Sequence, residues 1–259
     1  MTPVSAWQTY DQFFYALVAV AGTAAAASMV FRVMTRSKLA PWVHTLHGVV
    51  PPFLNVIGVL FALTLAFLAN DTWSAHDRAV TAVYREADAL HTLKVLAAQL
   101  PEPHGSQLRL QANDYARRAA AEWTLLAHRS ASNEVTTSAD RLLTALAQPA
   151  LVTNADAQLR ALMLQKAVEI REERDKRIAL SQTHVNPLKW LGMAFLGLVT
   201  LLSVAVVHIE HPRAAATALV LFALSSAPTA AIVLAQGNPF QQPTGVSPAP
   251  LLGVLAERG

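Results

Sequence analysis

The side chains able to do chemistry are few, and their spacing narrows what that chemistry can be. His208 and His211 stand three apart with Glu210 between them, a spacing that can hold a metal at a helix end. They fall in the short link His208-Ile-Glu-His-Pro-Arg213 between two apolar runs, where polar side chains serve as interfacial anchors of a membrane hairpin. His76-Asp77 and His91 lie on an amphipathic stretch and read as solvated or packing groups. The chain has no cysteine, which excludes thiolate catalysis, disulfides and Cys-based metal sites. No Gly-rich phosphate loop, G-x-S-x-G or H-E-x-x-H occurs. The residues therefore predict no enzyme, no metal and no cofactor. Glu173–Arg177 and Glu172–Lys176 are opposite charges at i,i+4 and read as an ion-pair ladder on a solvated helix face.

The polar residues embedded in apolar sequence are more informative. Inside a bilayer such groups are costly and face a partner helix or water. In the run Val49 to Ala69, a helical wheel puts Phe53, Leu60, Thr64, Phe67 and Asp71 on one face. Asn55, Gly58 and Ala62 fall on another, with smaller side chains. One face can pack on neighbouring helices while the other lines an axial opening in an oligomer, with phenyl rings as a constriction and Asn70-Asp71 as a polar mouth. The competing reading is that Thr64 bonds back to its own helix and the phenylalanines touch lipid.

The elements that would position these residues follow from hydropathy. Of 259 residues, 53% are hydrophobic and only 14% charged, well below the roughly 25% charged typical of soluble domains. Four apolar runs, about 13–31, 49–69, 188–209 and 214–236, are each long enough to cross a ~30 Å hydrocarbon core as a helix. Gly22 and Ala26 form a small-xxx-small pair that would admit a neighbouring helix closely. Between the pairs of spans the pattern turns amphipathic, with helices expected over 72–100, 106–128, 133–148 and 155–181, broken at Pro101-Glu-Pro-His-Gly105 and around Pro149 to Asn154. The expected class is an all-α integral membrane protein with four transmembrane helices in two pairs and a central polar helical domain. Its parts are 1–71, the N-terminal transmembrane pair; 72–186, the extramembrane helical domain; 187–236, the C-terminal hairpin; and 237–259, a Pro-rich tail expected to be irregular until a last turn near Leu251.

Charge placement bears on topology. Between Asp71 and Gln182, fourteen Lys/Arg match fourteen Asp/Glu, so the polar domain is neutral and offers no nucleic-acid footprint. The positive excess sits largely at Arg32, Arg36 and Lys38, with His44 and His47 further along the same loop. Under the positive-inside rule that loop, helped by Arg213, faces the cytoplasm of a bacterial inner membrane and leaves the helical domain periplasmic. Arg171, Arg174, Lys176, Arg177 and Lys189 flank the third span and pull the other way.

Several stretches, in order and spacing, resemble the bacterial bestrophin-like membrane family. They are Gly58-Val-Leu-Phe61-Ala-Leu-Thr64-Leu-Ala-Phe67, Trp73, Val83-Tyr-Arg-Glu86-Ala-Asp-Ala-Leu90, Leu110-Gln-Ala-Asn-Asp-Tyr115 and Glu122-Trp123. The late stretch Asn238-Pro239-Phe240, Gly245 and Val246-Ser247-Pro248 is similar to that family's tail. Two features depart from the family's pattern: the first loop is only modestly basic, and Gln241-Gln-Pro-Thr is interposed in the tail. The resemblance implies an oligomeric channel for small anions, with the second span as pore helix. Carried across, Leu60, Phe61, Thr64, Phe67, Asn70 and Asp71 become pore-lining candidates, and Glu86, Glu122 and Trp123 domain or inter-subunit contacts. It also implies a cytosolic helical domain, opposite to the loop-charge reading, while an acidic mouth at Asp71 would disfavour anions unless paired. The expected partners are the lipid bilayer, further copies of the chain and small ions. The alternative is a membrane sensor or adaptor whose helical domain binds a partner or ligand.

Overall fold

The computed structural model describes residues 11–36, 50–148, 156–182, 187–242 and 245–256. Lys38, His44, His47 and the expected break from Pro149 to Asn154 lie outside them. Among the described residues every regular element is helical: α1 (Asp11–Arg36), α2 (Val50–Ala97), α3 (His104–Ala121), α4 (Trp123–Ala127), α5 (Asn133–Leu146), α6 (Ala157–Gln182), α7 (Pro187–Val207), α8 (Pro212–Ala235) and α9 (Ala249–Ala256). The chain divides into two compact units, 1–73 with 184–237 and 74–183 with 238–259.

Among the described residues four helices are long and apolar enough to cross a membrane, and three of them, with the N-terminal half of α2, lie in the first unit. Within it α8 packs against α1 and α7, around Val30, Leu201, Ala205 and Leu219. The α7–α8 link turns within 208–211 and restarts at Pro212, where the missing amide of the first helical turn costs nothing. His208 is spent locally, its Nδ1 lying 2.9 Å from the Val204 carbonyl. No group of three or more His, Asp or Glu side chains that could hold a metal occurs among the described residues.

The second unit is a helical bundle with a core of Leu90, Leu93, Leu108, Leu126, Leu142 and Ile170. Its α3 packs on α5 and α9, and α6 on α4 and α5. The corner before α3 is built for glycine: a Cβ at Gly105 would stand 2.6 Å from the Ala97 carbonyl oxygen.

Three expectations are corrected here. The second span does not end at Asn70-Asp71 but continues through the stretch expected as a separate helix, giving one 48-residue element. No Gly or Pro interrupts it there, and Thr72 satisfies its hydroxyl on the Leu68 carbonyl at 3.0 Å. The helix expected over 106–128 breaks at Glu122, whose carboxylate receives the Ser132 amide at 2.8 Å. The ladder on a solvated face is not what Glu173 and Arg177 form: both are buried, Glu173 pairing with Lys176 at 2.6 Å and Arg177 with Glu86. The described part of the tail is irregular up to α9, which contains Leu251. Phe240, Val246, Leu251 and Val254 bury themselves in the core of the second unit. Trp123 Nε1 donates to the Val246 carbonyl at 2.7 Å, and Asn238 Nδ2 to that of Leu126 at 3.0 Å.

Candidate functional sites on the second helix and in the helical unit

Along α2 one side is turned inward and the rest of its circumference, Val59 at 65% included, is exposed. Leu54, Ile57, Phe61, Leu65, Leu68 and Thr72 turn towards the rest of the chain. Phe53, Val56, Leu60, Leu63, Phe67 and Asn70 turn away and are exposed, Leu60 at 47% and Phe67 at 61%. Beyond half-buried Ser74 the exposed stripe resumes at Asp77, a step of seven from Asn70, and runs through Thr81, Tyr84 and Asp88 in three- and four-residue steps. This 3.5-residue period is the one at which a helix keeps a single seam towards like helices packed about an axis. The stripe is apolar through Phe67 and polar from Asn70 onward, and no Lys or Arg occupies any of these positions.

The candidates fall unequally on that geometry. Leu60, Phe67 and Asn70 lie on the stripe. Thr64 borders it, half-buried, with its hydroxyl donating to the Leu60 carbonyl at 2.8 Å. Asp71 is exposed at its edge and pairs with Lys189 at 2.5 Å. Phe61 does not belong with them: its ring packs 5.5 Å from that of Phe222 and over Gly197, where an added Cβ would lie 3.2 Å away. Val56, Leu63, Asp77 and Asp88 were not among the sequence candidates, although the seven-residue repeat that marks them is visible in the sequence.

Glu86, Glu122 and Trp123 are brought together, but inside the second unit rather than on a face offered to another subunit. Arg177 Nε and Nη2 donate to the two oxygens of Glu86 at 2.5 and 3.0 Å, and Tyr115 Oη donates to Glu86 at 2.6 Å. Arg174 clamps Glu122 at 2.7 and 3.3 Å and also reaches the Thr136 hydroxyl and the Ser132 carbonyl. The Arg177 guanidinium lies 4.7 Å over the Trp123 ring, which meets Phe240 edge-on at 5.6 Å. Two carboxylates and two guanidiniums thus offset one another where water does not reach.

This environment moves the titrations. Burial, then the neighbouring Glu86 charge, push the Tyr115 phenol well above its ordinary value. Burial alone would lower the Arg177 guanidinium, but Glu86, Tyr115 and Glu122 outweigh it and hold it above its usual range. Sequence reasoning found Glu86, Glu122 and Trp123 but not Arg174, Arg177 and Tyr115 as their partners; no local signal connects residues 91 apart.

The fold and this arrangement define an all-helical integral membrane protein carrying an ordered helical unit. Residues 17–251 match the bestrophin-like domain. The chain belongs to the bestrophin-like family. Its fold is similar to that of a bacterial bestrophin homologue from Klebsiella pneumoniae. A tryptophan-to-alanine variant of that protein gives a TM-score of 0.61 at 16% identity, covering 95% of this chain and 97% of the other. A tyrosine-to-alanine variant gives 0.59 at 14% identity over 94% and 98%. A membrane protein carrying a glycine-to-alanine change gives 0.59 at 15% identity over 95% and 99%. No curated protein matches the sequence.

Proposed function

We propose that the chain is one subunit of an oligomeric ion channel in a bacterial inner membrane, with α2 of each copy lining the axis. The observation that carries this reading is the stripe from Phe53 to Asp88, exposed within the single chain except at half-buried Ser74 and spaced for packing about an axis. Rings of Val56, Leu60, Leu63 and Phe67 would form a narrow apolar neck that gates by wetting and dewetting, opening at Asn70 into a polar vestibule. Membership of the bestrophin-like family supports the same assignment.

Charge along the stripe argues against the small anions that the resemblance implies. Lys189 offsets Asp71, and exposed Arg78 and Arg85 repeat its edge position at seven-residue steps, while Asp77 and Asp88 face the vestibule in every copy. Rings of carboxylates concentrate cations and repel anions, so the pore favours cations. On the charge of its first loop, the helical unit lies on the periplasmic side.

The stripe can be tested without a background, because the chain has no cysteine. Leu60→Cys, Leu63→Cys and Phe67→Cys, each alone, are expected to form disulfide-linked dimers on oxidation in the membrane. Phe61→Cys, turned towards Gly197 and Phe222, is expected to remain monomeric. Cross-linking through position 61 but not 60, 63 or 67, in folded protein, would overturn the assignment of the axis-facing side.

A further inference from the structure

Along its stretch in the helical unit α2 buries Ala79, Val83, Glu86 and Leu90 and leaves Asp77, Arg78, Thr81, Tyr84, Arg85 and Asp88 exposed. The exposed charges are segregated by sign. Asp77 and Asp88 lie on the axis-facing stripe, whereas Arg78 and Arg85 stand seven apart along one edge of it.

Within one chain these charges are poorly matched. Arg85 lies 4.0 Å from the Glu173 carboxylate of α6. Asp77, Arg78 and Asp88 form no ion pair with another described residue. Asp77 and Arg78 do not satisfy each other either, since successive residues of a helix point about 100° apart.

The same placement becomes complementary when copies surround an axis. Each α2 then turns one edge of its stripe towards one neighbour and the other edge towards the other, and charges beside the seam pair between helices. Equal residues of parallel copies stand level, and one residue adds only about 1.5 Å of rise, so Arg78 of one copy stands level with Asp77 of the next. A guanidinium can meet a carboxylate there with two parallel donors. No second pair repeats one heptad on, because Tyr84 holds the position before Arg85. Arg85 is turned to Glu173 of its own chain instead.

We propose that Arg78 of each copy pairs with Asp77 of the next copy, so that a belt of ion pairs joins the helical units around the axis. The contact is heterologous: one copy gives the acid and its neighbour the base, and a closed ring alone pairs every copy. The proposal rests on the reading of α2 as the axis-lining helix. Asp77 is then shared with a guanidinium, and Asp88 is the carboxylate left unpaired in every copy.

The test uses the full chain, purified in one mild detergent as wild type, Asp77→Arg, Arg78→Asp and the double variant carrying both changes. Each single variant sets like charges against each other around the ring, and the double variant restores opposite charges with their direction reversed. Light scattering after size exclusion, over a dilution series, is expected to show several-fold less assembled protein for each single variant and wild-type assembly for the double. Folded single variants that assemble like the wild type would overturn the proposal, as would a double variant no better assembled than the singles. Should a charge reversal fail to fold, Asp77→Asn and Arg78→Gln replace it: each is expected to weaken assembly, and both together no more than either alone, whereas additive losses refute the pair. Disulfide formation by Leu60→Cys separates the two readings. An axis that cross-links without charge-exchange rescue refutes the belt alone, and a chain that neither cross-links nor assembles refutes the axis as well.

Discussion

Replacing Arg177 with methionine removes the cation on which most of the buried cluster depends. Arg177 is fully buried and supplies two of the three hydrogen bonds received by Glu86, the third coming from Tyr115. Without it Glu86 keeps only a neutral hydroxyl, and two carboxylates face the single remaining Arg174. Breaking one side of a buried pair costs about 3–5 kcal/mol, largely the desolvation of the partner left behind. The reverse substitution, Glu86→Gln, leaves Arg177 with Glu122 at 3.6 Å and with the Trp123 face, so it should cost less. Glu86→Gln combined with Arg177→Met removes both charges and should recover part of the loss, with a coupling of about 0.5–3 kcal/mol. At about 3 °C per kcal/mol for a chain of this size, Arg177→Met should lower the thermal midpoint by on the order of 10 °C. Thermal unfolding of the four proteins, wild type included, in one detergent reads all of these. Equal losses for the two single variants, or additive losses in the double, would refute the claim that Arg177 and Glu86 act as a pair with Glu122 as reserve.

Three further outcomes follow from the same geometry. Because the Tyr115 phenol is held above its ordinary value of about 10, native and unfolded states are both protonated below that pH. Above it the unfolded state loses the proton first, so stability should fall as pH rises past 10; Tyr115→Phe should flatten that fall in a thermal-midpoint titration, at the expense of one hydrogen bond to Glu86. Phe240→Ala, which empties a buried ring site beside Trp123, should cost about 3–5 kcal/mol and make the 238–256 segment cleavable by limited proteolysis, whereas an uncleaved tail would contradict its place in the core. A cysteine at exposed Ser247 should react with a membrane-impermeant maleimide in spheroplasts if the helical unit is periplasmic, and protection until lysis would place it in the cytosol.

What could be read from the sequence divides by the range of the signal. The membrane spans were legible because each is a local run of apolar residues. The polar helices were legible through their three- and four-residue periodicity, as was the corner at Gly105. The union of the second span with the first polar helix was not, since Asn70-Asp71 has the polarity of a membrane exit without any residue that ends a helix. Glu173 and Arg177 invited a local pairing because they stand four apart, whereas the real partner of Arg177 is 91 residues away. The prolines of the tail suggested irregular chain up to a last turn near Leu251, and Pro250 falls in the first turn of α9, where proline is well tolerated. The helical wheel of the second span correctly left Phe61 off the face of Leu60 and Phe67. That residue entered the pore-lining set by resemblance, and its ring packs on Gly197 and Phe222.

The central claim is that α2 lines an ion pathway, and flux into liposomes containing the purified protein tests it most directly. With potassium and chloride gradients imposed separately, the account predicts a selective cation flux, enhanced by Leu60→Ala at the neck and shifted towards chloride by Asp77→Lys with Asp88→Lys. Flux no greater than that of protein-free liposomes, from protein shown to be folded and oligomeric, would contradict it and turn attention to what binds the helical unit.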